Sequence, residues 1–167
     1  MTAINSIFAN KKRLTITIIL IIAAAIGVYY FYLKPLNNEK PVAIGSGQDF
    51  IVTVYASEVQ NLYGYQFNLY YDNEKVSFKG GLKSSIDAIG TIFKKDKEEH
   101  MLVGATMIGD VPGFSGKNVE VCSLEFTANS DIDSSMFVIN RVNTVDADQN
   151  YLENVSGWSV KVKVKTE

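Results

Sequence analysis

The sequence predicts an all-β domain, an antiparallel sandwich of two sheets, that follows one N-terminal transmembrane helix. Three observations support this fold class. The 167-residue chain has one uncharged run of 20 residues, at positions 14–33. Past residue 45 it is rich in β-branched and aromatic residues, with Asn, Asp and Gly distributed between them. Strand-like runs then recur at intervals of roughly 8 to 15 residues without helical patterns between them, which is typical of a sandwich.

The uncharged run predicts a membrane-spanning helix. Its sequence, LTITIILIIAAAIGVYYFYL, gives ~30 Å at helical rise, which matches the hydrocarbon thickness of a bilayer. Three basic residues, Lys11, Lys12 and Arg13, stand directly before it, so the positive-inside rule places residues 1–13 in the cytoplasm. We therefore expect a single-pass protein of the cell membrane whose β domain is extracellular.

A cleaved signal peptide is the alternative interpretation of this segment. Residues 14–25 have the length of a signal-peptide core, and Ala23 and Ala25 form a small-residue cleavage site that would leave Ile26 at the N-terminus. We prefer the uncleaved helix as a signal anchor, because it places the tyrosines near residue 30 at the outer interface, where aromatic rings are favoured. Residues 34–47 contain two prolines and two glycines and are predicted to be a linker.

The β domain is predicted over residues 48–165. Its strands are expected at residues 49–56, 62–72, 76–78, 100–110, 118–128, 136–146 and 158–164. Residues 81–90 lack alternation and predict a loop or a short helical turn. In the last strand, alternating lysines suit an edge strand or a solvated sheet face.

The run 62–72 is the most informative strand, because its side chains alternate with a period of two. Phe67 and Leu69 fall on one side, which is expected to face the core, and Gln66, Asn68 and Tyr70 fall on the other. We predict that these three residues of the outer side bind the partner of the domain.

The charge and the cysteine content exclude several classes of protein. The net charge is −2, and no basic stripe for nucleic acid is present. Cys122 is the only cysteine and shares one side of a strand with Leu124 and Phe126, so it is expected to be a buried apolar side chain. An internal disulfide is therefore impossible, and the domain depends on its core for stability.

The pattern of titratable residues predicts no enzyme and no catalytic residue. His100 is the only histidine and stands in a charged, solvated run, where it has no triad to join. Glu98 and Glu99 are adjacent, so they would point to opposite sides of a strand and cannot form a facing carboxylate pair.

No metal or cofactor is predicted either. Asp146, Asp148 and Asn150 resemble the opening of a calcium loop. The pattern then fails, because Tyr151 stands where the loop glycine belongs and Gly157 where the closing glutamate belongs. A turn between two strands is the preferred interpretation.

Three stretches resemble the cohesin domain family, in the order and at the spacing of that family, over about residues 48–165. They are LYGYQFNLYYDNEKVSF, MLVGATMIGDVPGFSGKNVEVCSLEFTA and NTVDADQNYLENVSGWSVKV. The first matches a Gly-x-x-Phe-x-Leu-x-Tyr-Asp strand, and the second a Gly-x-Ser-Gly turn that leads into a Leu-x-Phe strand. The matching residues are Gly64, Phe67, Leu69, Tyr71, Asp72, Gly113, Ser115, Gly116, Leu124 and Phe126.

The resemblance implies a jelly roll of nine strands, similar to many carbohydrate-binding modules, and a non-catalytic function. Cohesins usually bind a dockerin, a small calcium-stabilised helical module, in polysaccharide breakdown or at the cell surface. Gln66 and Asn68 carry over as contacts of the dockerin-reading strand. That strand often has polar residues where Gly64 and Gln66 stand here, so the identity of the partner stays open.

Two other functions remain open on the same scaffold. The domain could bind a polysaccharide directly, with Tyr63, Tyr70 and Tyr151 stacking on sugar rings. It could also be a structural or sensory protein of the envelope that packs against another membrane component. A fold does not decide between these functions.

Overall fold

The computed structural model describes residues 40–152 and 157–165. The predicted cytoplasmic tail, the predicted transmembrane helix at 14–33 and the first part of the predicted linker lie outside the described residues. Within those that are described, no helix is long and apolar enough to cross a membrane.

The described residues form ten strands and one 3-10 turn. The strands are β1 (Ala43–Ile44), β2 (Asp49–Leu62), β3 (Gly64–Tyr70), β4 (Val76–Ser84), β5 (Ile89–Asp96), β6 (His100–Met107), β7 (Phe114–Ala128), β8 (Ile132–Asp133), β9 (Val138–Val145) and β10 (Trp158–Val164). The 3-10 turn at Ser134–Met136 is capped by Asp133, whose carboxylate accepts a hydrogen bond from the Ser135 amide. The all-β class predicted from the alternation is confirmed.

The strands form two four-stranded sheets and one small sheet, with every strand pair antiparallel. The larger sheets have the orders β10-β2-β7-β4 and β5-β6-β3-β9. The small sheet pairs β1 with β8. The sequence predicted two sheets, and the third is absent from that prediction because a two-residue strand has no periodicity of its own.

The small sheet lies partly in the segment that the sequence predicted to be linker. Ala43 pairs with Asp133, the side chain of Ile44 is 1% exposed, and the Val42 amide donates to the Ser134 hydroxyl at 2.9 Å. The packed domain therefore begins before residue 48, because Ile44 adds apolar surface to the core.

One hydrophobic core fills the space between the two four-stranded sheets. Its fully buried side chains from one sheet include Phe50, Val52, Val54, Leu124 and Phe126, and those from the other include Phe67, Leu69, Met101 and Val103. The ring of Trp158 on β10 lies 5.7 Å from that of Tyr65 and 5.8 Å from that of Phe67, and so joins the two sheets. Cys122 is buried, as the alternation predicts.

The loop or short helical turn that the sequence predicted at 81–90 is only a turn at residues 85–88, and the rest of the stretch is strand. The stretch holds the end of β4, a turn around the buried Ile86, and the start of β5. Gly80 and Gly81 take φ angles of 135° and 62° where the pairing of β4 with β7 shifts register. Because these bulges interrupt the period of two, the strand pattern is hidden in the sequence.

Candidate partner-binding face

The predicted binding residues lie on the outward face of the β5-β6-β3-β9 sheet, which we call the β3 face. On β3, Tyr65, Phe67 and Leu69 are buried in the core, so the alternate residues point outward. Cross-strand partners in an antiparallel pair share a side of the sheet. The strand positions of the β3 face are therefore Gly64, Gln66, Asn68 and Tyr70 of β3, Thr91, Phe93 and Lys95 of β5, His100, Leu102, Gly104 and Thr106 of β6, and Val138, Asn140, Asn143 and Val145 of β9.

The structure places the three predicted residues on one side of β3 but in different environments. Gln66 is exposed, whereas Asn68 is only 5% exposed. Asn68 lies on an inner strand between its cross-strand partners Leu102 and Asn140. The ring of Tyr70 is half-buried and stacks on His100 with a centroid distance of 5.0 Å. The sequence therefore predicted the side of these residues, but not the burial of Asn68.

Two further amides of the face were missed by the sequence analysis. Asn143 lies opposite Gln66, and Asn140 lies opposite Asn68, so four amide side chains form a cluster across β3 and β9. A register shift separates the two pairs, and Arg141 takes a φ of 53° there. The shift breaks the alternation of β9, so the strand alone does not reveal which of its residues point outward.

Phe93 was also missed, because β5 was not predicted as a strand. Its ring is 47% exposed and lies over Gly104 on the neighbouring strand. A Cβ atom built on Gly104 would lie 2.8 Å from Cε1 of Phe93 and closer still to Cζ. The ring thus occupies the space that a side chain at position 104 would need. The run Thr-Ile-Phe at 91–93 is itself a strand signal that could have located this residue.

Exposed apolar side chains are concentrated on the β3 face. The described residues leave five large apolar side chains exposed: Val42, Phe93, Ile108, Val138 and Tyr151. Phe93 and Val138 are strand positions of the face. Ile108 directly follows β6 and lies against Gly90, and Tyr151 is bridged to Val145 at the same end. Four of the five therefore belong to this face or border it.

The outward face of the other sheet has a different character. It carries ion pairs, such as the one between Lys165 and Glu125 at 2.8 Å. The Lys79 ammonium and the Thr127 hydroxyl both donate to Asp49, and these hydrogen bonds hold the pKa of that carboxyl below its usual value. None of the five exposed apolar side chains lies there. This face therefore carries paired charges in place of large exposed apolar side chains.

A cleft of about 370 Å³ opens where the sandwich edge separates β4 from β5. Lys94 lies on the inward side of β5 with its ammonium 4.5 Å from the ring centroid of Phe78 and 2.6 Å from Asp96. Burial, with a smaller contribution from the charge of Asp96, raises the pKa of Tyr71 in the same cleft. The aromatic floor of the cleft is thus already covered by a cation of the chain itself.

The aspartates after β9 form a turn. One carboxylate oxygen of Asp146 accepts hydrogen bonds from the amides of Asp148 and Asn150 at 3.0 and 2.9 Å, and the other accepts from the Asn150 side chain. The bonds from Asn150 are the main reason that the pKa of Asp146 is lowered. Over residues 40–152 and 157–165 no group of three potential metal ligands comes together.

Two solved structures share this architecture. The domain has a cohesin-like fold. One neighbour is a cohesin module from a family 33 glycoside hydrolase of Clostridium perfringens, with a TM-score of 0.51 and 10% sequence identity over 74% of this chain and 93% of that chain. The other is a chain from the crystal structure of a dockerin–cohesin complex at pH 5.5, with a TM-score of 0.52 and 12% identity over 66% and 85% of the two chains.

These likenesses confirm the predicted resemblance at the level of the fold. No protein-family model matches the sequence of the cohesin-like domain or of the rest of the chain, and no curated protein sequence matches either.

Proposed function

We propose that the cohesin-like domain is a non-catalytic binding module that captures a dockerin-like helical partner on its β3 face. The observation that carries this proposal is that four of the five large apolar side chains exposed among the described residues lie on that face or border it. Large apolar side chains that stay exposed and gather at one face are typical of an interaction site. The dockerin–cohesin complex among the structural neighbours supports a helical partner of this kind.

The shape of the β3 face suits a helix better than a loop. Its two inner strands carry the glycines Gly64 and Gly104 and the amides Gln66 and Asn68. Its two outer strands carry the exposed apolar residues Phe93, on β5, and Val138, on β9. A few residues, often aromatic, contribute most of the binding energy of a protein interface.

We further propose that the N-terminal segment tethers the module to the outer side of the cell membrane. The support is the uncharged run at 14–33 and the three basic residues before it. A tether of this kind would hold the captured partner at the cell surface, where extracellular polysaccharides are degraded.

Site-specific photo-crosslinking tests the binding face in the full chain. A photoreactive phenylalanine analogue replaces either Gln66, on the β3 face, or Thr53, on the outward side of β2. We expect a crosslinked protein partner from position 66 and none from position 53. Chelation of calcium should abolish the product, because dockerins are calcium-stabilised. The same product from both positions would place the contact elsewhere and overturn the proposal.

Direct glycan binding on the same face is the second candidate. The clustered amides of β3 and β9 include Gln66, Asn140 and Asn143, with Tyr70 further along β3 and Phe93 beyond Gly104 on the other side. Amides can hydrogen-bond to sugar hydroxyls, and aromatic rings can stack on sugar rings. A glycan array probed with the full chain separates the two functions. Saturable binding of one glycan class, lost in Asn143→Ala, would favour this candidate over the dockerin-like partner.

A further inference from the structure

The ring of Phe93 occupies the space that the absence of a side chain at Gly104 leaves free. The atoms that a Cβ at position 104 would meet are Cζ, Cε1 and Cε2, the far end of the ring. The ring therefore lies flat on the backbone of β6 while almost half of the side chain stays exposed. An aromatic ring packed in this way loses little conformational entropy when a partner covers it.

The charge at the strand positions of the β3 face is positive. No strand position of the β3 face carries an Asp or Glu, although the whole chain has 18 acidic and 16 basic residues. Lys95 stands two residues after Phe93 on the same side of β5, and Arg141 is exposed in the bulge of β9. Among the ion pairs of the described residues, neither cation takes part.

The two cations lie on strands at opposite edges of the sheet. The sheet order is β5-β6-β3-β9, so the strands of Lys95 and Arg141 are its two outer strands, with β6 and β3 between them. A partner with basic groups at these two edges would be repelled, whereas carboxylates there would gain favourable contacts and faster association.

We infer that Phe93 is the anchor of the partner contact, that Gly104 positions its ring, and that the partner presents an apolar helical stripe flanked by carboxylates facing Lys95 and Arg141. This inference rests on the proposed function and names the chemistry of the partner at the same face. Phe93 makes the contact, and Gly104 acts only through the position of the ring.

The position of the ring is tested without any partner, by NMR spectroscopy of the full chain in detergent micelles. The ring current of Phe93 should move the Hα resonances of Gly104 upfield. In Phe93→Leu, which has no ring at this position, these resonances should shift back toward the values of an ordinary glycine in a strand. Gly104→Ala should leave the melting temperature close to that of the wild type, because the displaced atoms are the end of a side chain that is almost half exposed. Hα resonances that do not change in Phe93→Leu would overturn the positioning role.

The chemistry of the partner is tested with two helical peptides that share a leucine stripe, one flanked by glutamates and the other by lysines. Binding is read from the amide resonances of the β3 face, which peptide bound to micelles does not perturb. We expect the glutamate peptide to bind at least tenfold tighter, and the double variant Lys95→Glu/Arg141→Glu to invert this preference. Phe93→Ala and Gly104→Ala should each weaken binding tenfold or more.

A matched control is Gly90→Ala, whose Cβ would meet Ile108 at the border of the β3 face rather than Phe93. It should weaken binding by less than threefold. Equal affinity for the two peptides, or no binding of either at millimolar concentration, would overturn the inferred partner chemistry. The photo-crosslinking result bears only on the proposed function, so the two failures are distinguishable.

Discussion

Phe67 shows how a single side chain joins the two sheets. It is fully buried on β3, and its ring stacks on that of Tyr65 at 6.1 Å and packs against Trp158 of the other sheet at 5.8 Å. Its neighbour Gln66 points to the opposite side and is exposed. Adjacent residues of one strand thus belong to the core and to the candidate site.

Phe67→Ala is expected to destabilise the domain by about 3 to 5 kcal/mol, through lost burial and the cavity that remains. Gln66→Ala is the matched control and should change the free energy of unfolding by less than about 0.5 kcal/mol, since its side chain is exposed. Urea unfolding followed by circular dichroism measures both changes. A loss below about 1 kcal/mol for Phe67→Ala would contradict the register of β3.

Cys122 is the second residue whose environment leads to a test. Burial raises the pKa of its thiol to about 12, although a hydrogen bond from Tyr65 opposes the shift. The folded state therefore favours the protonated thiol, and stability should fall as the pH rises above about 8.5, the ordinary pKa of cysteine.

We expect Cys122 to resist a thiol reagent at pH 8 in the native chain and to react at once in denaturant. Between pH 9 and 12, the free energy of unfolding should decrease more steeply in the wild type than in Cys122→Ala, which has no thiol to titrate. Rapid labelling of the native protein at pH 8 would show that the thiol is accessible and would contradict its burial.

Among the elements, β5 shows best what the sequence could and could not predict. The long alternating strands carry their own period of two. β3 and β7 were predicted to within about four residues of their observed bounds, whereas the prediction at 49–56 covered only the first part of β2. β5 follows two glycine bulges and has two charged residues, Lys94 and Asp96, on its inward side. The inward charges lie at an open sheet edge, where water can reach them. The sequence of β5 therefore resembles a solvated loop, and the strand was not predicted.

Inward charges on an edge strand discourage pairing with a second sheet. Lys94 lies on such a strand and is opposite the buried Val103, with its ammonium over the ring of Phe78. We expect Lys94→Ile to increase self-association, measured by analytical ultracentrifugation, while Lys97→Ile in the β5–β6 turn should not. A monomeric Lys94→Ile variant would show that the edge needs no such protection.

At the scale of the whole molecule, the fold was more predictable than the candidate site. Alternation within each strand indicates which side faces the core, and this was enough to predict the sandwich and the side of Gln66, Asn68 and Tyr70. The site also depends on which strands become neighbours. Only the order β5-β6-β3-β9 brings Phe93 and Asn140 onto the same face as Gln66, and no single stretch of sequence carries that order.

The membrane tether is the remaining test at this scale. If residues 14–33 are an uncleaved anchor, signal peptidase does not cut after Ala25, and the mature protein should retain Met1 or Thr2. It should also resist extraction by carbonate or high salt, since twenty uncharged residues buried in hydrocarbon are not released by ionic conditions.

Mass spectrometry of the protein from its native membrane measures the N-terminus, and protease added to intact cells measures the orientation. The protease should digest the β domain and spare residues 1–13, because Lys11, Lys12 and Arg13 hold the N-terminus in the cytoplasm. A mature N-terminus at Ile26 would instead establish the cleaved signal peptide. The domain would then leave the membrane, and a captured partner would not be held at the cell surface by this chain.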